Sequence, residues 1–239
     1  MIGSLLLAAV SFFMKDSLPP AARLRPELLE EPQQRAVSKA PLDATVNGVQ
    51  YAIQPRFSYD LYGLVVSLHD SDAWWDYAHR EWGDHVNVVD FCVVWGNNIR
   101  REAYKGVSWS HDQWTCMWQT YSNDALRAFD GAAYSNNHLV TDDPATAREL
   151  RRVRIGDQIR FRGYLVDYTT IKNGVPAGKR VTSTVRNDDG PGACEVVYVE
   201  DFEILGSPNR LWRGAFKGSL FVLRASLIAW AFLPVKFKD

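Results

Sequence analysis

The chain reads as an α+β protein: an antiparallel, β-rich body that includes a small barrel and a few short helices, flanked by an apolar helix at each terminus. Three observations predict this. Short runs of period-2 alternation recur between turn residues, which marks half-buried strands. Helical spacing is confined to brief stretches with their own start and stop residues. Two apolar stretches, residues 2–14 and 218–235, bracket a polar body that holds seven of the nine tryptophans between Trp74 and Trp118.

The terminal stretches come first. Crossing a bilayer as a helix takes about 20 mostly apolar residues, because the hydrocarbon core is ~30 Å thick and a helix rises ~1.5 Å per residue. Residues 1–18 are read as an N-terminal membrane anchor and residues 214–236 as a C-terminal membrane helix, which puts the protein at a membrane, the bacterial inner membrane. No Lys or Arg precedes the first apolar run, and Ala9-Val10-Ser11, its only passable cleavage pattern, would leave too short an apolar region for a secretory signal. An uncleaved anchor is therefore expected. At the other end Arg224 is the one internal charge, costing roughly 2.5–3.5 kcal/mol at mid-bilayer, while Trp230, Lys236 and Lys238 suit an interfacial end. The plainer alternative is an amphipathic helix lying on the membrane or packed on the body. Basic residues flank both stretches, so charge bias does not orient the body across the membrane.

Residues 19–43 read as a proline-rich linker. Five of the eleven prolines lie at Pro19, Pro20, Pro26, Pro32 and Pro41, and such a segment stiffens towards extended polyproline II. The folded body spans residues 44–209. Asn47-Gly48 is the signature of a hairpin turn between two short strands. Residues 59–68 form an apolar, β-branched run expected to be a buried strand. Residues 73–82 space Trp74, Tyr77, Ala78 and Trp82 helically, with Ser71 or Asp72 as N-cap and Gly83 as stop. Residues 86–95 follow as a second buried strand with residues 113–120 as its expected partner. Asp143 as N-cap and Pro144 as first helical residue start a helix that runs to about Arg152.

The last third is strand-rich. Ile159, Phe161, Gly163 and Leu165 alternate on one face of a strand against Arg160, Arg162 and Tyr164 on the other. Residues 179–186 and 195–205 supply two more strands. Alternation slips at Glu200-Asp201, which predicts a bulge. A bulge and an internal glycine are devices that close a sheet into a barrel.

Gly156-Asp157-Gln158-Ile159-Arg160-Phe161-Arg162-Gly163 followed by Val199-Glu200-Asp201-Phe202-Glu203-Ile204-Leu205 resembles the strand pattern of OB-type barrels, which implies an OB-like part over residues 155–205. More broadly, Asp60-Leu61-Tyr62-Gly63-Leu64-Val65-Val66-Ser67, Phe91-Cys92-Val93-Val94-Trp95-Gly96, Ser135-Asn136-Asn137-His138-Leu139 and Gly192-Ala193-Cys194-Glu195 resemble a family of uncharacterised bacterial membrane proteins with an anchor at each end. That resemblance implies architecture alone. It carries no activity and no catalytic residues.

The chemistry must come from the residues. A formal net charge of -1 argues against attraction of the whole chain to nucleic acid. Of three cysteines, two are expected to pair in an oxidising compartment, Cys92 with Cys116 first, and no spacing resembles a zinc site. His69, Asp76, His79 and His85 form the densest His/Asp concentration and suit acid–base work or a metal, against the plainer reading of a polar helix face on which Asp76 pairs with Arg80. Cys194 with His138 and Asn136 or Asn137 has the parts of a thiol nucleophile, against a disulfide or a plain buried thiol. Arg148, Arg151, Arg152, Arg160 and Arg162 make a basic face, which fits lipid head groups or a partner better than nucleic acid, or is simply solvated. Trp74, Trp75, Trp109 and Trp118 are candidate recognition rings. Together these point to a membrane-tethered binding module that meets lipid and a protein or envelope component. The alternative is a membrane-bound hydrolase using the His/Asp concentration. No cofactor or metal is specified by any motif.

Overall fold

The computed structural model describes residues 2–188, 190 and 192–232. They divide into two units, Met1–Ser17 with Ser207–Asp239, and Leu18–Gly206. The first unit is a pair of helices, α1 (Ile2–Met14) and α6 (Arg210–Phe232). They run antiparallel: Asn209 Nδ2 donates to Ser17 O (2.6 Å), Arg213 Nε donates to Lys15 O (3.1 Å), and the rings of Phe12 and Phe216 lie 5.8 Å apart. Among the described residues no helix is long and apolar enough to cross a membrane, so the expectation of spanning helices at 1–18 and 214–236 finds no support there. The reason is physical. At 13 residues α1 reaches only ~20 Å, and α6 starts inside a basic stretch carrying Arg210, Arg213 and Lys217 before Arg224. Lys236 and Lys238 lie outside the described residues.

The second unit is α+β. Its strands are β1 (Gln33–Ala36), β2 (Leu42–Val46), β3 (Val49–Asp70), β4 (Asn87–Val94), β5 (Ser108–His111), β6 (Cys116–Gln119), β7 (Tyr134–Val140), β8 (Gln158–Lys172), β9 (Val175–Arg180) and β10 (Glu195–Gly206). Short helices α2 (Ala78–Trp82), α3 (Gly96–Arg100), α4 (Asn123–Ala128) and α5 (Pro144–Leu150) lie between them. Five strands pair in a circuit: β3 with β4, β4 with β7, β7 with β10, β10 with β8, and β8 back with β3. Only β7 with β10 is parallel. Residues 155–205 therefore supply two strands of the circuit, and the other three come from β3, β4 and β7.

Length and local chemistry explain the closure. At 22 residues β3 is long enough to pair with β8 along Gln50–Leu64 and with β4 along Leu64–Asp70, bending at register shifts after Pro55 and Val65. In β10 the register slips between Val199 and Asp201, opposite Gly163 of β8. A Cβ at Gly163 would stand 1.9 Å from Tyr198 O, so only glycine admits that bulge. Inside the circuit Leu61, Val65, Phe91, Val93, Leu139, Ile159, Phe161, Leu165, Val197 and Val199 form the main core, joined by Leu150 of α5 and Val153. Each such side chain contributes ~1.5–3 kcal/mol on full burial. Asp143 caps α5, its carboxylate accepting from Ala145 N–H (3.2 Å) and Thr146 N–H (2.8 Å).

All eight residues of β4 are buried, because its outer face is covered too. Cys92 and Val94 pack there with Leu28, Ile99, Tyr104 and Cys116. The Cys92–Cys116 disulfide ties the β5–β6 hairpin to this face. The proline-rich segment also packs on the body and does not stand off as a spacer. Leu28 is fully buried, Tyr104 Oη donates to Pro19 O (2.6 Å), Trp95 Nε1 donates to Glu31 (2.9 Å), and β1 pairs with β3. Three expected elements differ. The helix expected at 73–82 is only α2, since Asp70 Oδ1 takes the Asp72 N–H in a turn instead of letting Ser71 or Asp72 start a helix. Gly83 does stop it, in a left-handed conformation with φ 64°. The strand at 113–120 shortens to β6 and pairs with β5, not β4, and the strand at 179–186 ends at Arg180 as β9.

Candidate functional site

Strand register builds the site. His69 of β3 stands opposite Asp90 of β4, and Asp90 opposite His138 of β7. Residues directly across neighbouring strands share a face, so all three point away from the main core. The adjoining row runs Ser67, Cys92, Asn136, and Cys194 flanks it at the start of β10. The first row lies beneath the segment that joins β3 to β4, and the second beneath the β5–β6 hairpin, which touches Ser67, Cys92 and Asn136 through Ser110, Cys116 and Trp114.

The polar groups form one chain. Asp76 Oδ2 accepts from His69 Nε2 (2.6 Å) and His79 Nδ1 (2.6 Å), and its Oδ1 accepts from the His79 N–H (3.1 Å). Asn87 Nδ2 donates to His79 Nε2 (3.1 Å) and to Asp90 Oδ1 (3.0 Å). Asp90 Oδ1 also meets His138 Nδ1 at 2.8 Å in a buried ion pair. Cys194 Sγ accepts from Asn136 Nδ2 (3.3 Å) beside His138, and Arg180 Nη1 lies 3.1 Å from His138 Nε2. Arg180 then reaches Asp84 (3.4 Å), whose two oxygens accept from Tyr168 Oη (2.7 Å each). Buried polar networks of this kind are costly unless satisfied, and this one leaves Asn87 Oδ1 and Asp90 Oδ2 without a hydrogen-bond partner.

Electrostatics follow from burial and pairing. Burial alone would raise the Asp90 carboxyl, but His138 beside it and the Asn87 amide hold it at about 2. Burial would lower His138, yet Asp90 outweighs it, so the ring is pushed up to about 9. His111, whose Nδ1 lies 3.3 Å from Ser67 Oγ, is pushed down to about 4 by burial. Burial also lowers His79. Asp76 stays below the usual carboxylate range, because hydrogen bonds from His69 and His79 overcome its own burial.

The sequence-predicted candidates separate. His69, Asp76 and His79 come together, with ligand-type atoms all within 4.8 Å of one another. His85 does not join them; its backbone N–H donates to Tyr51 Oη (2.9 Å). His and Asp are the donor types zinc takes, but proton placement works against a metal here. Asp90 is ionised, so the Asn87 atom facing it must be the amide nitrogen. That N–H then needs a lone pair on His79 Nε2, which leaves the His79 proton on Nδ1, aimed at Asp76. The trio is also closed, at 3 %, 0 % and 1 % exposure, with Trp75 packed on His69 at 4.8 Å and Trp114 on His79 at 4.0 Å. It fastens the β3–β4 connection and offers no path to a substrate.

The accessible chemistry lies next door. A cleft of about 1010 Å³ is lined by Trp82, Trp114, His138, Lys172, Arg180 and Cys194 among others. Trp82 and Trp114 stack at 5.0 Å and 17°, and the Arg180 guanidinium sits 4.5 Å over the Trp114 ring. None of Trp82, Trp114 and Arg180 was named as a site residue from the sequence, where Trp82 served only to mark a helix; Trp114, Arg180 and Cys194 come from distant segments that only the strand pairing brings together. Of the expected recognition rings, Trp74 and Trp75 are exposed, while Trp109 and Trp118 are opposite one another on the β5–β6 hairpin and pack on Phe129. The expected basic face is largely neutralised. Arg151 pairs with Asp70 and Asp72, Arg152 with Glu149, Arg160 with Asp60 and Arg162 with Asp201; Arg148 is exposed. Comparison with known protein families, curated proteins and solved structures found no match.

Proposed function

We propose that the protein is a membrane-held binding module whose five-strand circuit is an OB-type barrel and whose ligand enters the cleft beside Trp114. OB barrels are five-stranded Greek-key barrels that bind saccharides and oligonucleotides on the face of their second and third strands, between the loops after the first and fourth. Here β4 and β7 hold those places in the circuit, and the cleft is walled by the β3–β4 and β8–β10 connections. The Cys92–Cys116 disulfide supports an oxidising, extracytoplasmic setting for the body. The exposed apolar side chains of α1 and α6 would hold it at lipid.

The observation that carries the reading is the stack of Trp82, Trp114 and Arg180 inside the cleft. Stacked indoles take a ring face, and Arg180 with Lys172 and Lys179 takes a negative charge. A saccharide of the envelope that carries carboxylates fits both demands. The net charge of -1 and the paired arginines disfavour nucleic acid. The test is a tryptophan-fluorescence titration with a uronate oligosaccharide, a neutral oligosaccharide of equal length and a single-stranded oligonucleotide. The uronate should bind best, and Trp114→Ala should weaken it about tenfold, ~1.4 kcal/mol. Equal binding by all three probes, or an unaltered Trp114→Ala, would sink the reading.

A further inference from the structure

We propose that Cys194, His138 and Asp90 form a thiol nucleophile that accepts an acyl group in the cleft. Four observations carry this. With Cys92 and Cys116 joined, Cys194 is the free thiol, and it is half-buried on the cleft wall and not sealed in the core. His138 lines the same cleft as that thiol and neighbours it across the β7–β10 pairing, with its Nδ1 2.8 Å from Asp90 Oδ1. Asp90 is fully buried and is itself fixed by Asn87 Nδ2, which keeps the imidazole oriented. Finally, Asn136 Nδ2, held by Trp114 O (2.8 Å), donates to Cys194 Sγ (3.3 Å), so an amide donor is fixed at the sulfur itself, where it favours negative charge. Nucleophile, base, orienting carboxylate and donor is the arrangement covalent acyl transfer requires.

The step balances without a co-reactant other than water. Asp90 keeps the His138 ring protonated near neutral pH, so the reacting pair is imidazolium and thiolate, and Sγ attacks the carbonyl carbon of an ester or amide. The S–C bond forms, the bond to the leaving group breaks, and the leaving group takes the proton from the ring. Water then adds to the thioester, giving a proton to the ring, and the acid departs as the S–C bond breaks, which restores thiolate and imidazolium. Arg180 Nη1 stands 3.1 Å from Nε2, so it must swing aside from the protonated ring, and it is placed to turn towards an acidic substituent of the substrate. Cys194 would be the catalytic nucleophile and Asp90 a positioning residue. The groups that face His138 are Asp90 from β4, Arg180 from β9 and Cys194 at the start of β10.

The test uses the full chain with its disulfide intact and reads alkylation of Cys194 by iodoacetamide by intact mass between pH 6.5 and 8.5. A free thiol of ordinary pKa, ~8.5, loses about fiftyfold in rate over that interval, since only the thiolate reacts. The wild type should lose less than tenfold, His138→Gln should show the full loss, and Asp90→Asn should fall between them. With p-nitrophenyl acetate, the wild type should release p-nitrophenolate and carry an acetyl group on Cys194, and Cys194→Ser should do neither. A wild-type loss of tenfold or more, or ester cleavage unchanged in Cys194→Ser, overturns the proposal. The wild-type profile decides even where a variant fails to fold. The inference shares the cleft with the binding reading but does not rest on it, because iodoacetamide reports on the thiol with no saccharide present.

Discussion

Asp90 decides the state of its neighbours. It is a carboxylate with no water around it, so each partner must supply a proton or a donor, and that demand passes through Asn87 to His79 and directly to His138. The consequence for stability has a definite sign. His138 is pushed up to about 9 from 6.5, so its contribution is complete below about 6.5 and is lost as pH rises through 9. Burial pushes Glu195 up to about 8 from 4.5, so its contribution fades as pH rises from about 4.5 through 8. Burial pushes His111 down to about 4, so the fold gains stability as pH rises from 4 to about 6.5, which offsets Glu195 there. His79, also lowered by burial, adds a gain of the same sign, so thermal stability should rise towards about pH 6.5 and decline above, each titrating group adding up to ~1.4 kcal/mol per pH unit. Scanning calorimetry of His138→Gln should give a shallower alkaline decline than wild type. An identical slope would mean that this ring holds no extra proton. Part of this was readable beforehand: His138 was singled out with Cys194 and an asparagine, whereas Asp90 was not. The signal that existed was period-2, since Asp90 and Cys92 alternate with Val89, Phe91 and Val93 and so had to face the other way.

Among the elements, β8 and β10 show where local sequence suffices. The slip at Glu200-Asp201 and the lone Gly163 predicted a bulge, and the register places them opposite each other. Gly163→Ala should cost more than ~3 kcal/mol, because the new methyl meets a carbonyl oxygen that belongs to the strand itself. A urea unfolding midpoint within error of wild type would contradict this. The β5–β6 hairpin shows the opposite case. Residues 113–120 were expected to pair with β4, yet four-residue strands carry too little pattern to choose a partner, and the choice falls to the disulfide. Cys92 and Cys116 are 24 residues apart, so on the chain-entropy account their bond contributes ~3.5 kcal/mol. Adding a reductant should lower the urea midpoint accordingly and loosen Trp109 and Trp118, which would show as a red shift in tryptophan emission. An unchanged midpoint would mean that the hairpin is held by its packing alone.

At the scale of the whole molecule, alternation and turn residues disclosed an α+β body, but a circuit of strands is a property of long-range pairing that no window of sequence contains. β3 had to meet both β4 and β8, more than 90 residues onward, before the rows of polar residues could be seen to meet. At the termini the expectation of spanning helices found no support among the described residues. Apolar content was legible, whereas length and the basic start of α6 decide whether a helix crosses a bilayer. What the helices do present is a set of exposed side chains, with Phe13 at 77 %, Leu211 at 86 %, Phe221 at 73 % and Phe232 at 83 % exposure. So much apolar surface on two paired helices is unfavourable in water, and the cations of α6 favour an anionic lipid face. Helices that lie at the surface are held by area and charge, and helices that span are held by the hydrocarbon core. The full chain should therefore float with vesicles containing anionic lipid, bind neutral vesicles more weakly, and leave membranes under alkaline carbonate. Retention in the pellet after carbonate would establish a spanning segment. Failure to float with either vesicle would remove the membrane from the function altogether.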